Sequence, residues 1–197
     1  MRGRSLRLIL AGGGLLLAVA AVSVLLAARG SSETVALAGT EIQGSPAAPA
    51  FRLHDADGRP VALRQLRGKV VFVTFLYVHC PDVCPLIASH VNDALRTLGP
   101  DASAVAVSVD PEGDTPAAVR SYVADRRLLP RFHYLRGTRA ELAPVWKRWF
   151  VGATPARDEV LHTSMTVLVD RDGRQRVRYG AGATAAQLVH DVRALKM

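Results

Sequence analysis

Cys80 and Cys84 are the only cysteines among 197 residues, and they stand four positions apart in the run His79-Cys80-Pro81-Asp82-Val83-Cys84-Pro85. Cysteine used this sparingly does not build a disulfide scaffold. Two sulfurs held close together suit either thiol–disulfide exchange or capture of a soft metal ion. A Cys-x-x-Cys pair at a helix start is the usual redox spacing, where the helix N-terminus favours the thiolate. Here the spacing is one residue longer. On a helical turn, positions i and i+4 share a face, so both sulfurs could bridge or hold one ion together. Pro85 directly after Cys84 removes a backbone N–H and disfavours helical geometry at Cys84, so an irregular helix start is expected.

The elements that must position this pair follow from the hydrophobic pattern. Val70 to Tyr77 is an apolar run that reads as a buried strand ending just before the cysteines, and Leu86 to Leu98 reads as the helix after them, stopped by Gly99-Pro100. Ala104 to Val109 is a second apolar strand. Thr115-Pro116, with Asp114 before it, opens a helix over Ala117 to Leu128, and Asp110 and Asp114 read as turn and cap residues. Phe132 to Leu135 is strand-like. Thr138 with Glu141 makes a capping box for Ala140 to Phe150. Met165 to Val169 and Arg174 to Tyr179 form a hairpin about Asp172-Gly173, and Thr184 caps Ala185 to Leu195. Two shorter strands, Phe51 to Leu53 and Val61 to Leu63, precede the first long one.

Alternation in the first half and an antiparallel end in the second imply an α/β fold, a thioredoxin-like mixed sheet flanked by helices. Ligands of such sheets gather beyond the carboxyl ends of the strands, which is where Cys80 and Cys84 fall. In thioredoxin-like folds the loop before the antiparallel strand normally brings a proline to face the dithiol. This chain has none between Pro155 and the end of the Met165 strand; it has His162 there instead, in Leu161-His162-Thr163-Ser164. That imidazole is a candidate third ligand for two thiolates. The other histidines are weaker candidates. His79 should face away from Cys80 by strand alternation, His90 lies six positions past Cys84 on the helix, and His54, His133 and His190 lie far from the run.

The remaining sequence sets the context. The formal net charge is +8, almost all from arginine, since Lys69, Lys147 and Lys196 are the only lysines. The arginines are scattered, with no basic block and no aromatic–basic interleaving, so no nucleic-acid partner is expected. Arg2, Arg4 and Arg7 precede an uncharged apolar run from Leu8 to Ala28, which Arg29 closes. A run of that length suits a transmembrane helix, which needs about 20 residues, better than a cleaved signal core of about 7–15. Ala36-Leu37-Ala38 before Gly39 nonetheless resembles a signal-peptidase site. The domain organisation expected is therefore a membrane anchor over 1–29, a flexible linker over 30–49, and a folded domain over 50–197. The basic flank belongs on the cytoplasmic side, which puts the domain on the periplasmic side of the inner (cytoplasmic) membrane.

Three stretches together resemble the Sco/SenC family of copper-binding, thioredoxin-like proteins. They are His79-Cys80-Pro81-Asp82-Val83-Cys84-Pro85, Ser108-Val109-Asp110-Pro111-Glu112-Gly113-Asp114-Thr115-Pro116, and His162-Thr163-Ser164-Met165 with its following hairpin through Gly173. The resemblance implies copper held by Cys80, Cys84 and His162, and a role in assembling the dinuclear copper centre of cytochrome c oxidase. The implied partners are the membrane, a copper-accepting oxidase subunit, or another copper chaperone. Thiolates suit Cu(I) and imidazole suits copper as well, so the donor set agrees with that expectation. No catalytic residue is expected beyond the redox-active pair itself. The alternative is a thiol–disulfide oxidoreductase that reduces partner cysteines. A peroxidase reading rests only on Thr74, six positions before Cys80.

Overall fold

The computed structural model describes residues 36–156 and 159–197, with the backbone alone over 153–162. The apolar run Leu8–Ala28 lies outside the described residues. Among those described, no helix is long and apolar enough to cross a membrane.

The centre of the protein is a pair of parallel strands, β4 (Val70–Leu76) and β5 (Ala102–Ser108), in which every residue is buried. Strands covered on both faces read as unbroken apolar runs rather than alternating ones, as Val70-Val71-Phe72-Val73 does. β6 (Phe132–Leu135) extends the parallel half beside β5. β9 (Met165–Val169) joins β4 antiparallel on the other side, followed by β10 (Gln175–Gly180) and the short β1 (Thr40–Glu41). The six-stranded sheet has the order β1-β10-β9-β4-β5-β6. Two hairpins stand apart from it, β2 (Arg52–His54) with β3 (Pro60–Ala62), and β7 (Ala153–Ala156) with β8 (Glu159–His162). A 3-10 turn over Leu63–Leu66 leads from β3 to β4.

The helices are α1 (Val83–Leu98), α2 (Pro116–Asp125), α3 (Arg139–Arg148) and α4 (Ala185–Ala194). Thr115, Thr138 and Thr184 cap the last three as their positions in the sequence imply. Thr138 and Thr184 complete reciprocal boxes with Glu141 and Gln187. α1 and α4 pack together, and the segment after α2 is tied to α1 through Asn92, whose amide donates to Arg127 O at 3.2 Å and whose oxygen accepts from Leu129 N–H at 2.9 Å. α3 sends Trp149 onto Phe51 and Phe75, with ring centroids 6.3 and 5.9 Å away.

Two features depart from the sequence-based expectation. α1 begins at Val83, not Leu86, so Cys84 is helical. Pro85 falls at the third helical position, where the N–H it lacks would have had no intrahelical acceptor, so the helix tolerates it. The second departure concerns the linker expected over 30–49. From Ala38 onward this segment is bonded to the domain. Ala38 and Gly39 donate their N–H groups to the fully buried Asp191 carboxylate at 2.8 and 3.0 Å, and β1 then pairs with β10. Farther along, Ala48 N–H bonds Gly173 O and Gln175 N–H bonds Pro46 O, both at 2.9 Å. The strap carries no hydrophobic periodicity because it is held by backbone bonds along an edge, which no pattern of side chains announces. Burial by itself would raise the Asp191 carboxyl, but the donors from Ala38, His190 and Gly39 hold it below the usual range.

A Cβ on Gly39 would overlap Val177 Cγ1 and lie 2.6 Å from the Tyr179 ring. Gly39→Ala should therefore lift the strap and cost about 1–3 kcal/mol, the usual cost of overpacking. Urea unfolding would show this as a lower midpoint, and an unchanged midpoint would show that the strap adds nothing to stability.

Candidate metal centre

β4 ends at Leu76, and the chain turns through Val78 and the exposed His79 before reaching Cys80. Cys80 N–H donates to Tyr77 O at 3.3 Å. Asp82 occupies the position before α1 but makes no side-chain cap. Instead the Cys80 sulfur accepts the Cys84 backbone N–H at 3.4 Å, so one thiol satisfies a first-turn donor of the helix that carries the other. Both cysteines are free and buried, with Cys84 at 0 % exposure and Cys80 at 8 %. Burial pushes the Cys84 thiol well above its ordinary range, and the adjoining Cys80 sulfur and the Asp114 charge push the same way. A thiol in this setting keeps its proton.

The loop that carries Cys80 is held from behind by Asp114. This residue is not the helix cap expected of it; Thr115 is, accepting Ala118 N–H at 3.2 Å. Asp114 is fully buried and reaches across to Val78, accepting its N–H at 2.8 Å, and it accepts the Tyr134 hydroxyl at 3.0 Å. Arg136 Nε donates to the Asp114 carbonyl at 2.9 Å. Tyr134 packs edge-on against Tyr122 with centroids 5.5 Å apart, and the Tyr122 hydroxyl donates to Cys84 O at 3.3 Å. Both ends of the Cys80–Cys84 turn are thereby fixed to one buried polar cluster. Burial raises the Asp114 carboxyl to about 6 against the lowering effect of its hydrogen-bond donors. No sequence motif marks Tyr122 and Tyr134 as part of this arrangement. Asp110 does behave as a turn residue, accepting Gly113 N–H at 3.0 Å. Gly113 lacks room for a side chain, since a Cβ there would overlap Asp110 and lie 3.2 Å from His79 Cδ2.

His79 therefore lies against the Gly113 turn. His90 bonds Ala183 O through Nδ1 at 2.9 Å and His190 bonds Asp191 at 2.9 Å. His54 pairs with Arg136 through the backbone, and burial lowers His133. The His162 side chain lies outside the described residues. Its backbone ends β8 opposite Ala153, and the next residue, Thr163, bonds Gly152 O at 3.1 Å. Met165, just beyond, gives its carbonyl to the Thr74 hydroxyl of β4 at 3.1 Å. The β7–β8 hairpin thus joins the sheet at the end where β4 gives way to the cysteines. Among the described residues, no third His, Cys, Asp or Glu completes a metal-binding group with the two thiols.

The sequence profile of the SCO1/SenC family matches residues 39–196. The chain belongs to the SCO1/SenC family. It is 29% identical over 132 residues to the SCO1 protein homolog of Bacillus subtilis, covering 63% of this chain and 68% of that one. Among solved structures, Bradyrhizobium japonicum ScoI with copper bound is 34% identical with a TM-score of 0.65, covering 75% of this chain and 98% of that one. The apo Sco1 protein of Thermus thermophilus, a solution structure, is 28% identical with a TM-score of 0.70, covering 83% and 99%. The mixed sheet flanked by helices is the thioredoxin-like Sco fold.

The Asp114 carboxyl titrates higher in the folded protein than its ordinary 3.8, so its contribution to stability is full below about 3.8 and is lost as the pH rises through about 6. Asp114→Asn should remove that dependence, which amounts to at most roughly 3 kcal/mol. The measurement is the change in unfolding free energy between pH 4 and pH 7 in the two proteins. Equal changes would show that Asp114 does not titrate in this range.

Proposed function

We propose that this protein is a membrane-tethered copper chaperone in which the Cys80 and Cys84 thiolates and the His162 imidazole bind copper as cargo for assembly of the cytochrome c oxidase dinuclear copper centre. The observation that carries the reading is the pair of free, adjoining, buried sulfurs at the carboxyl end of β4. Two thiolates in a dry site favour a soft, low-coordinate ion such as Cu(I). His162 is the third donor that family resemblance implies, and its backbone stands at the same end of the sheet. Leu8–Ala28 serves as the anchor, with Arg2, Arg4 and Arg7 on the cytoplasmic side and the folded domain in the periplasm. Copper passes to an oxidase subunit or another copper chaperone by exchange of ligands.

The raised Cys84 thiol supports capture coupled to proton release. Loading should therefore weaken as the pH falls. The proximity of the sulfurs also supports a second reading, reduction of a partner's disulfide, although a fully buried Cys84 thiol is a poor nucleophile.

One variant separates the two readings. The reduced full-length protein in detergent should take up about one Cu(I) per chain by metal analysis. His162→Ala should weaken that binding by more than the roughly 10–100-fold that loss of an outer-shell partner costs, and Cys84→Ser should do the same. Undiminished copper affinity in His162→Ala, with retained turnover of a disulfide substrate, would select the oxidoreductase reading.

A further inference from the structure

Phe150 is at odds with its surroundings in two ways. It closes α3 with φ +57, the left-handed conformation that favours glycine. Val151 N–H reaches back to Trp146 O at 2.9 Å and Phe150 N–H bonds Lys147 O at 3.3 Å, the geometry of a Schellman ending. The ring is also 88 % exposed, so nothing among the described residues offsets the backbone strain or its contact with water. Among the described residues the only other exposed large apolar side chain is Leu86, in the first turn of α1. Beside Phe150, Lys147 and Arg148 are exposed, and no salt bridge among the described residues involves either.

The strand register places this aromatic–cationic corner at the same end of the sheet as the point where the chain enters the domain. Gly39 packs on Tyr179, and the next residue, Gly180, pairs with Met165. Two residues before Met165, Thr163 bonds Gly152, which follows Phe150 and Val151. The groove around Ala38 and Gly39 is lined by Arg178. Only nine residues, Arg29 to Leu37, separate this entry point from the apolar run. Fully extended they reach about 30 Å. A domain of this size has a radius of gyration of about 15 Å, so the leash is no longer than the domain is wide.

We propose that the Phe150 corner, with Lys147 and Arg148, docks on the anionic surface of the bilayer that holds the anchor, and so turns the dithiol end of the domain toward the membrane. The inference rests on the anchor reading above. An exposed aromatic ring flanked by cations suits the lipid headgroup region, and anionic lipid attracts the net positive domain. The short leash supplies a high effective concentration, so a weak contact is enough. A membrane-embedded copper acceptor would then meet a site already oriented toward it.

The experiment uses the full chain in vesicles whose lipids carry brominated acyl chains, with or without phosphatidylglycerol. Trp146 and Trp149, the chain's only tryptophans, are both buried, so the parent protein supplies a steady background. With Phe150→Trp, the added indole should lose roughly half its emission in anionic vesicles, and added salt or a Lys147→Glu/Arg148→Glu background should restore it. Phe150→Gly should leave the melting temperature unchanged or raised, because glycine accepts the left-handed backbone. A lowered melting temperature would show that the ring serves the fold and would overturn the proposal. A protein that floats with the vesicles while the added indole stays bright overturns docking and leaves the anchor standing. Emission that shifts with protein density but not with lipid charge assigns the corner to a second copy of the chain, and also overturns it. A protein that does not float removes the anchor and the docking together.

Discussion

The buried carboxylate of Asp114 is the constraint on which the dithiol geometry rests. A carboxyl group taken out of water is costly unless donors replace the lost hydration. Here the replacements come from separate parts of the sheet: Val78 N–H from the loop after β4 and the Tyr134 hydroxyl from β6. Because the cost is met only when those groups converge, the carboxylate enforces their convergence. The loop leading to Cys80 is thereby held to the parallel half of the sheet, and the two edge-on tyrosines carry the same constraint to the backbone of Cys84.

The site is built on this frame by small local choices. Asp82 does not cap α1, and the Cys80 sulfur accepts the first-turn N–H instead. A helix start that uses a thiol in this way keeps both sulfurs on one turn without a disulfide. Desolvation then raises the Cys84 thiol above its ordinary range. The same end of the sheet receives the β7–β8 hairpin and the entering strap, where the parallel strands stop.

Much of this was legible in the chain. The strands β4 and β5 were readable because a strand buried on both faces is a continuous apolar run. The helix starts at Thr115, Thr138 and Thr184 were readable because capping is local chemistry. The cysteine run stood out by residue type alone, and its likeness to the SCO1/SenC motif agrees with the family match over 39–196. What was not legible depended on distant partners. The strap from Ala38 is held by a carboxylate 153 positions away, and β1 has only two residues. Asp114 looked like a cap because caps and buried acceptors use the same residue type, and only the position of Val78 tells them apart.

The sequence by itself determined the order of the long strands and the helices, the cysteine pair and the apolar N-terminal run, because each of these is written in neighbouring residues through periodicity, capping or composition. Tertiary structure decided which carboxylates are buried, which sulfur accepts the helix donor, and that Phe150 faces water in a left-handed turn. Those outcomes depend on groups brought together across the sheet, where desolvation and hydrogen-bond partners, rather than local preference, set the energy.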